Sequence, residues 1–142
     1  MNIRFAFFAL AIGTMTAAAV AFAGCTFTTT VSKPPVYGEP LDSLRAQLRQ
    51  LVTCEHFDVE GREITRNGGK REEIDITIVN GQGIPEGDGK WELGRALAGV
   101  VKRALKDTLE YHIYVVGFST ERKDGMSVSK TTTSRQFMSR EL

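Results

Sequence analysis

The sequence is poor in the residues that most often carry chemistry. It has two cysteines, two histidines and one tryptophan among 142 residues, too few nitrogen and sulfur ligands for a structural zinc site without help from carboxylates. An excess of either charge is also lacking, since 18 Lys and Arg face 17 Asp and Glu. A domain that binds nucleic acid needs a basic footprint, so this balance argues against a nucleic-acid partner.

No complete catalytic motif is present. The sequence contains no Gly-x-Ser-x-Gly, the motif that positions a nucleophilic serine. A glycine-rich loop over residues 80–90 lies between a predicted strand and a predicted helix, where phosphate-binding loops occur. Gly83 is one residue too far from Gly89-Lys90 for a P-loop, and Trp91 replaces the required hydroxyl residue. We therefore expect no nucleotide cofactor.

Other candidate ligand sets are small or local. Glu86 and Asp88 lie in the same loop, but calcium usually takes six or more oxygen ligands, and Asp88 suits the N-cap of a helix. The segment from Cys54 to Asp58 gathers a thiol, an imidazole and two carboxylates. A catalytic cysteine and histidine normally meet through the fold, with a third group orienting the base. We predict no metal, no cofactor and no catalytic residue.

The first 24 residues have the pattern of a secretory signal. Arg4 is the only charged residue before residue 25, an apolar stretch follows from Phe5 to Ile12, and small residues dominate from Ala17 to Gly24. A basic start, an apolar centre and a small-residue end are the features of an export signal. We predict that residues 1–24 are a signal peptide and that the mature chain is exported.

The end of this segment, Phe22-Ala23-Gly24-Cys25, resembles the lipobox of bacterial lipoproteins, whose common form is Leu-Ala-Gly-Cys. The resemblance implies diacylglycerol on the sulfur of Cys25, cleavage before Cys25 and acylation of the new amino terminus. Phe22 departs from the usual Leu. Thr26, rather than Asp, follows the cysteine, as in lipoproteins that are forwarded to an outer membrane. This implies the periplasmic face of that membrane, if the organism has one.

Other outcomes of the same segment stay open. Ala21-Phe22-Ala23 has the small-x-small pattern of ordinary signal cleavage. The uncharged run from Phe5 to Ala23 is also long enough for an uncleaved membrane helix, although Gly and Thr residues interrupt it. If Cys25 carries lipid, Cys54 has no internal partner, and we expect its thiol to be reduced and buried. An unlipidated exported chain could join the two cysteines in a disulfide.

Residues 25–40 differ in composition from the rest. They include three consecutive threonines and three of the four prolines in the chain. Prolines fix φ and remove hydrogen-bond donors, so we predict an extended, lipid-anchored tether over residues 25–40. We assign residues 41–142 to a single domain of ordinary size.

Two helices are predicted within the domain, because apolar residues recur at helical spacing. The first runs from about Leu41 to Cys54. The second starts near Asp88 as the N-cap, and its last turn extends from Asp107 to Glu110. The apolar positions that define the two helices are Leu44, Leu48 and Leu51 in the first and Leu93, Leu97, Val101 and Leu105 in the second.

Four strands are predicted, two after each helix. Asn67-Gly68-Gly69 supplies the turn of the first hairpin, and the uniformly apolar run from Tyr111 to Phe118 predicts a strand that is covered on both faces. Polar residues mark the last strand as an edge. The first two strands are defined by Phe57, Val59 and Ile64, and by the alternation of Ile74, Ile76 and Ile78 with polar residues. The predicted fold class is α+β, with two helices packed on a mainly antiparallel four-stranded sheet in the order α-β-β-α-β-β.

These features predict a membrane-anchored envelope lipoprotein whose domain is a non-enzymatic protein-interaction or assembly module. Its partners would be the membrane, through the lipid, and another envelope protein. An unpaired strand edge can accept a strand of a partner, and we expect the partner to bind at Ser127, Ser129, Thr131 and Thr133. The alternative is a small periplasmic enzyme or ligand-binding protein. Its sign would be a concave apolar site that brings His56 or His112 close to a carboxylate and a nucleophile.

Overall fold

The computed structural model describes residues 27–142. These residues form an α+β fold in which two helices pack on one face of a five-stranded, mostly antiparallel sheet. A short 3-10 helix, Ser139–Glu141, ends the described chain. The elements in chain order are β1 (Thr28–Ser32), α1 (Leu41–Leu51), β2 (His56–Arg66), β3 (Gly69–Val79), α2 (Asp88–Ala104), β4 (Ile113–Asp124) and β5 (Ser127–Met138).

The strands lie in the sheet in the same order as in the chain, β1-β2-β3-β4-β5. Every neighbouring pair is antiparallel except β3 and β4, which are parallel. A parallel pair needs a long crossover, and α2 provides it. The prediction of an α+β fold with two helices and a mainly antiparallel sheet is confirmed.

The predicted number of strands was wrong, because β1 was not foreseen. Thr28–Ser32 lies within residues 25–40, where we expected an extended tether, and it pairs with the second half of β2, Thr28 opposite Arg66 and Ser32 opposite Arg62. The sheet therefore has five strands rather than four, and the order of elements begins with a strand. All five residues of β1 are exposed, so no apolar alternation marks it in the sequence. Its pairing with β2 defines it.

The segment between β1 and α1 is also attached to the domain. The Lys33 amide donates to Gly61 O at 2.8 Å, and the Gly38 amide donates to Ala104 O at 2.8 Å. The Lys106 amide donates to Val36 O at 2.9 Å. A further contact is the hydroxyl of Tyr111, which donates to the carbonyl of Lys33 at 2.8 Å. Long-range hydrogen bonds thus fix the chain from β1 onward.

The core lies between the helices and one face of the sheet. Ile74, Ile76 and Ile78 on β3 are each 0% exposed, as their alternation predicts. Leu44 and Leu48 form the apolar stripe of α1 and are buried in the same core. The opposite face of the sheet has no helix above it, and there Arg62, Glu73 and Asp75 lie beside the apolar residues Ile113 and Val115.

Both predicted helices end too late. Val52, the C-cap of α1, is extended, so α1 ends at Leu51 instead of Cys54. Leu105 is extended as well and pairs with Tyr37 in an isolated bridge, so α2 ends at Ala104 and residues 107–110 form a turn instead of a last helical turn. Asp88 is the first helical residue rather than the N-cap.

The hairpin turns follow the sequence more closely. Asn67 and Gly68 have φ of 50° and 82° at the tip between β2 and β3, the left-handed conformation that a two-residue turn requires. The apolar run ending at Phe118 lies in β4, which has a neighbour on each side, and the polar last strand, β5, forms an edge of the sheet. Both positions in the sheet agree with the predictions, although helices cover only one face of β4.

Candidate functional site

The outer edge of β5 is the longest exposed strand edge of the described chain. Eleven of the 12 residues of β5 are exposed, and within residues 27–142 β5 pairs only with β4. A strand pairs with one neighbour through alternate residues, so the remaining N–H and C=O groups of β5 point to solvent. All the predicted partner-binding residues, Ser127, Ser129, Thr131 and Thr133, are exposed on this strand.

These hydroxyl residues share one face of the sheet, the face that the helices cover farther along. Ser129 lies opposite Arg122, and Thr131 lies opposite Thr120. A depression of about 380 Å³ beside the edge is lined by Thr120, Arg122, Ser129 and Thr131. Its hydroxyl groups can donate and accept hydrogen bonds and its guanidinium can donate them, which suits an extended polar segment better than an apolar ligand.

Contacts with β4 and α2 hold β5 in place. Lys130 Nζ lies 2.9 Å from Glu121 Oε1 on one face of the sheet. This hydrogen-bonded ion pair raises the pKa of Lys130 and lowers the pKa of Glu121. On the other face, the guanidinium of Arg135 lies 5.7 Å from the centre of the Trp91 ring. Side chains of β5 on both faces of the sheet therefore contact the rest of the domain.

Trp91 closes one end of the core. It stands in the first turn of α2, is half-buried, and packs edge-on against Phe118 with 6.2 Å between ring centres. Lys90 Nζ lies 5.5 Å from the Trp91 ring and 5.3 Å from the Phe118 ring. The aromatic faces are thus occupied by cations of the same chain, so they are not open for stacking on a ligand.

The cluster from Cys54 to Asp58 does not form a catalytic arrangement. His56 Nε2 lies 3.4 Å from Asp58 Oδ2, and both side chains are about half exposed. The thiol of Cys54 donates to the backbone carbonyl of His56 at 3.5 Å rather than to the imidazole. Burial raises the pKa of Cys54, whereas a nucleophilic cysteine needs a lowered pKa. Cys54 is half-buried, less covered than we expected.

The second histidine lies at the opposite end of the sheet. His112 lies just before β4, its Nδ1 is 3.6 Å from Glu72 Oε2, and its side chain is 68% exposed. His56 pairs with Val79 at the far end of β3. The two imidazoles therefore cannot share one site. Across residues 27–142, no group of three or more His, Cys, Asp or Glu side chains could hold a metal ion.

The glycine-rich loop before α2 is structural. Gly83 and Gly87 have φ of 67° and 60°, and the Gln82 amide donates to Thr53 O at 2.8 Å. Glu86 and Asp88 are exposed. Asn80 closes the loop on the sheet, donating to Glu55 Oε2 at 2.6 Å and accepting from the Glu121 amide at 2.8 Å.

A buried carboxylate was not foreseen from the sequence. Glu73 is 1% exposed, although it stands on the face of the sheet that lacks helices. Arg62 Nε donates to Glu73 Oε1 at 2.7 Å, and Arg71 Nη2 lies 3.1 Å from Glu73 Oε2. Arg62 also forms an ion pair with Asp75, and burial raises the pKa of Asp75. Because these four side chains meet only in the register of β2 and β3, no local pattern reveals them. They form an ion-pair network.

An apolar depression lies beside α1. It has a volume of about 270 Å³, just below the ordinary range for ligand sites of about 300–1,000 Å³. Tyr37, Leu41, Leu44 and Phe57 are among its lining residues, and neither histidine is. Arg45 also lines it and is its one charged group. A larger depression of about 600 Å³ lies beside His112, with Leu109, Tyr111, Met138 and Ser139 in its lining and no carboxylate among the lining residues.

Cys25, the predicted lipidation site, lies outside the described residues, as does the predicted signal peptide. Among the helices that the structure describes, none has the length and apolar character to cross a membrane. No protein-family model matches the chain. Neither a curated protein sequence nor a solved structure matches it.

Proposed function

We propose that this chain is an exported bacterial lipoprotein, held at a membrane by lipid on Cys25, whose domain binds another envelope protein along the edge of β5. The observation that carries the proposal is the edge itself. β5 has 12 residues, about twice the usual strand length. Its outer hydrogen-bonding groups have no neighbouring strand in the described chain.

Long unpaired edges favour pairing with other chains, and proteins usually shorten or cover them. Here Lys130 and Arg135 provide the charges that discourage indiscriminate pairing, while the run from Thr131 to Ser134 stays uncharged and has high strand propensity. A partner strand would add to the sheet as a sixth strand. The backbone would supply affinity, and the hydroxyl-lined depression beside Ser129 and Thr131 would supply specificity.

The alternative, an enzyme or a ligand-binding protein, has weaker support. The described structure has the two histidines at opposite ends of the sheet and a raised pKa at the Cys54 thiol. The depression beside α1 contains neither histidine, and the larger one beside His112 has no carboxylate among its lining residues. An exported chain with an anchor and an exposed edge is better suited to an assembly role. The lipid anchor itself rests on the lipobox-like sequence before Cys25.

The edge is tested by photo-crosslinking in intact cells. A photoreactive residue at Thr131 should give one discrete crosslinked envelope protein, and the same residue at Arg95, which is exposed on α2, should not. Identical products from the two positions, or none from Thr131, would contradict binding at the edge.

Proline substitution, with the photoreactive residue moved to Ser129, provides a second, matched test. Adjacent residues of a strand direct their N–H groups to opposite sides, so of Thr131→Pro and Thr132→Pro one removes a hydrogen bond to β4 and the other removes an outward donor. We expect one variant to lose stability and the other to keep it while losing the crosslink. If the stable variant still crosslinks as strongly as wild type, strand addition is wrong.

A further inference from the structure

The tip of the β2–β3 hairpin carries a concentrated positive charge. Arg66, Lys70 and Arg71 lie around the turn at Asn67-Gly68, and the sequence from Ile64 to Arg71 contains no acidic residue. We call these three residues the basic tip. The rest of the chain has 15 Lys and Arg against 17 Asp and Glu, so this local excess is a distinct feature of the surface.

The charges of the basic tip remain available to solvent. Among the described residues, Arg66 has no ion-pair partner. Lys70 pairs with Glu63 at 3.0 Å but keeps 66% of its side chain exposed. Arg71 reaches the buried Glu73 at 3.1 Å and is 46% exposed. The tip therefore projects more positive charge than its own neighbours neutralise.

A depression lies between the arginines on the face without helices. It has a volume of about 330 Å³ and is lined by Thr28, Thr30, Ile64, Arg66, Gly69 and Arg71. Two guanidinium groups and two hydroxyls can bind the oxygens of a phosphate group, and guanidinium forks suit that geometry. Ile64 adds an apolar wall beside them. The residue types fit the headgroup of a phospholipid.

The position of β1 brings this depression close to the proposed lipid. Thr28 pairs with Arg66, and the Asn67 amide donates to Phe27 O at 3.2 Å. Cys25 precedes Thr28 by three residues, so their Cα atoms are at most about 11 Å apart. Phe27 is 76% exposed between them, and aromatic side chains favour the interface between lipid and water. The sheet has no long tether at this end.

We propose that the basic tip docks on the anionic phospholipid headgroups of the membrane in which Cys25 is anchored. The inference rests on the proposed lipid anchor and adds an orientation to it. The tip faces the membrane, and the sheet stands away from it. Val79, at the far end of β3, pairs with Ser119, and the next residue, Thr120, lies opposite Thr131. At about 3.3 Å per residue, this places the partner-binding edge roughly 35 Å from the tip.

The test uses the full protein purified from membranes and placed on vesicles of phosphatidylcholine alone or mixed with phosphatidylglycerol. An amine-labelling reagent reports the exposure of Lys70, and Lys123 at the opposite hairpin serves as the internal reference. We expect phosphatidylglycerol to slow the labelling of Lys70 several-fold relative to Lys123. The protection should fall at high salt, because exposed charges are screened.

Arg66→Gln is the informative variant, because it breaks no ion pair of the described fold. It should weaken docking about fivefold, the effect of one basic residue at an anionic surface. The matched control is Arg122→Gln at the far end of β4, which should leave docking unchanged. Arg71→Gln should weaken docking as well, and circular dichroism shows whether losing its contact with Glu73 disturbs the fold.

Three results would overturn the inference, and the mass of the same preparation separates the first two. An acylated chain in which Lys70 is labelled equally on both vesicles leaves the anchor standing and rejects the docked orientation. A chain that carries no acyl mass rejects the anchor and, with it, the docking that rests on it. Equal effects of Arg66→Gln and Arg122→Gln would show that overall charge, and not the tip, governs binding.

Discussion

Gly61→Ala should strongly destabilise the domain, because the N-terminal segment crosses β2 at this residue. A Cβ atom added to Gly61 would lie 2.2 Å from the carbonyl oxygen of Lys33 and 2.7 Å from the hydroxyl oxygen of Tyr111. Backbone and side chain must therefore move apart by about 1 Å to reach van der Waals distance. The movement strains two hydrogen bonds, each 2.8 Å long, that join Lys33 to Gly61 and to Tyr111.

The expected loss of unfolding free energy is about 2.5–4.5 kcal/mol. Overpacking costs about 1–3 kcal/mol, and each strained hydrogen bond adds about 1 kcal/mol. The reduced freedom of alanine in the unfolded chain offsets about 0.5 kcal/mol. Against a typical total of about 5–15 kcal/mol, this change is easily measured by urea unfolding of the mature protein, followed by circular dichroism.

Gly38→Ala is the matched control. The nearest atom to its added Cβ is 3.5 Å away, which is ordinary contact, so its stability should stay within about 0.5 kcal/mol of wild type. Equal stability of Gly61→Ala and wild type would refute the reasoning. It would mean that Lys33 does not lie on Gly61, and that the segment after β1 is free of the sheet.

Two further predictions concern buried polar groups. Burial raises the pKa of Tyr114 to about 12, whereas an unfolded tyrosine ionises near pH 10. The contribution of Tyr114 to the free energy of unfolding is therefore complete below about pH 10. It is lost as the pH rises toward 12, at about 1.4 kcal/mol per pH unit. Tyr114→Phe should lose less stability over this interval in urea unfolding at successive pH values, and curves parallel to wild type would contradict the cause. Glu73→Gln removes the buried charge between Arg62 and Arg71 and should cost about 1–3 kcal/mol; an unchanged urea midpoint would show that the network adds nothing to stability.

The parts of the fold that could be predicted are those with a buried periodic face. Ile74, Ile76 and Ile78 alternate because one side of β3 meets the helices, and Leu44 and Leu48 recur because α1 buries a stripe. The Asn67-Gly68 turn was predictable because few residues adopt positive φ. In each case a local physical requirement leaves a mark in the residues themselves.

The parts that were missed depend on partners distant in the chain. β1 has five exposed residues, so only its hydrogen bonds with β2 distinguish it from a tether. The helical pattern of α2 continues to Leu105, yet that residue leaves the helix to pair with Tyr37. The network around Glu73 requires the register of two strands. No pattern within one segment carries such information.

The candidate surfaces divide in the same way. The polar run from Ser127 to Thr133 predicted an edge strand, and the structure has it at the edge of the sheet. The basic tip had a local signal, three cations around a turn without acids. Its relevance to a membrane depends on β1, which places Thr28 beside Arg66. Its interpretation therefore required the fold.

The central claim is that lipid on Cys25 holds this domain at a membrane. Intact mass and N-terminal peptide mass of the mature protein, purified from membranes, test it most directly. We predict a chain that begins at Cys25 and carries the added mass of a diacylglyceryl group and an amide-linked acyl chain, with Cys54 as a free thiol. A chain that begins at Gly24, free of acyl mass and short of two hydrogens through a disulfide between Cys25 and Cys54, would contradict it.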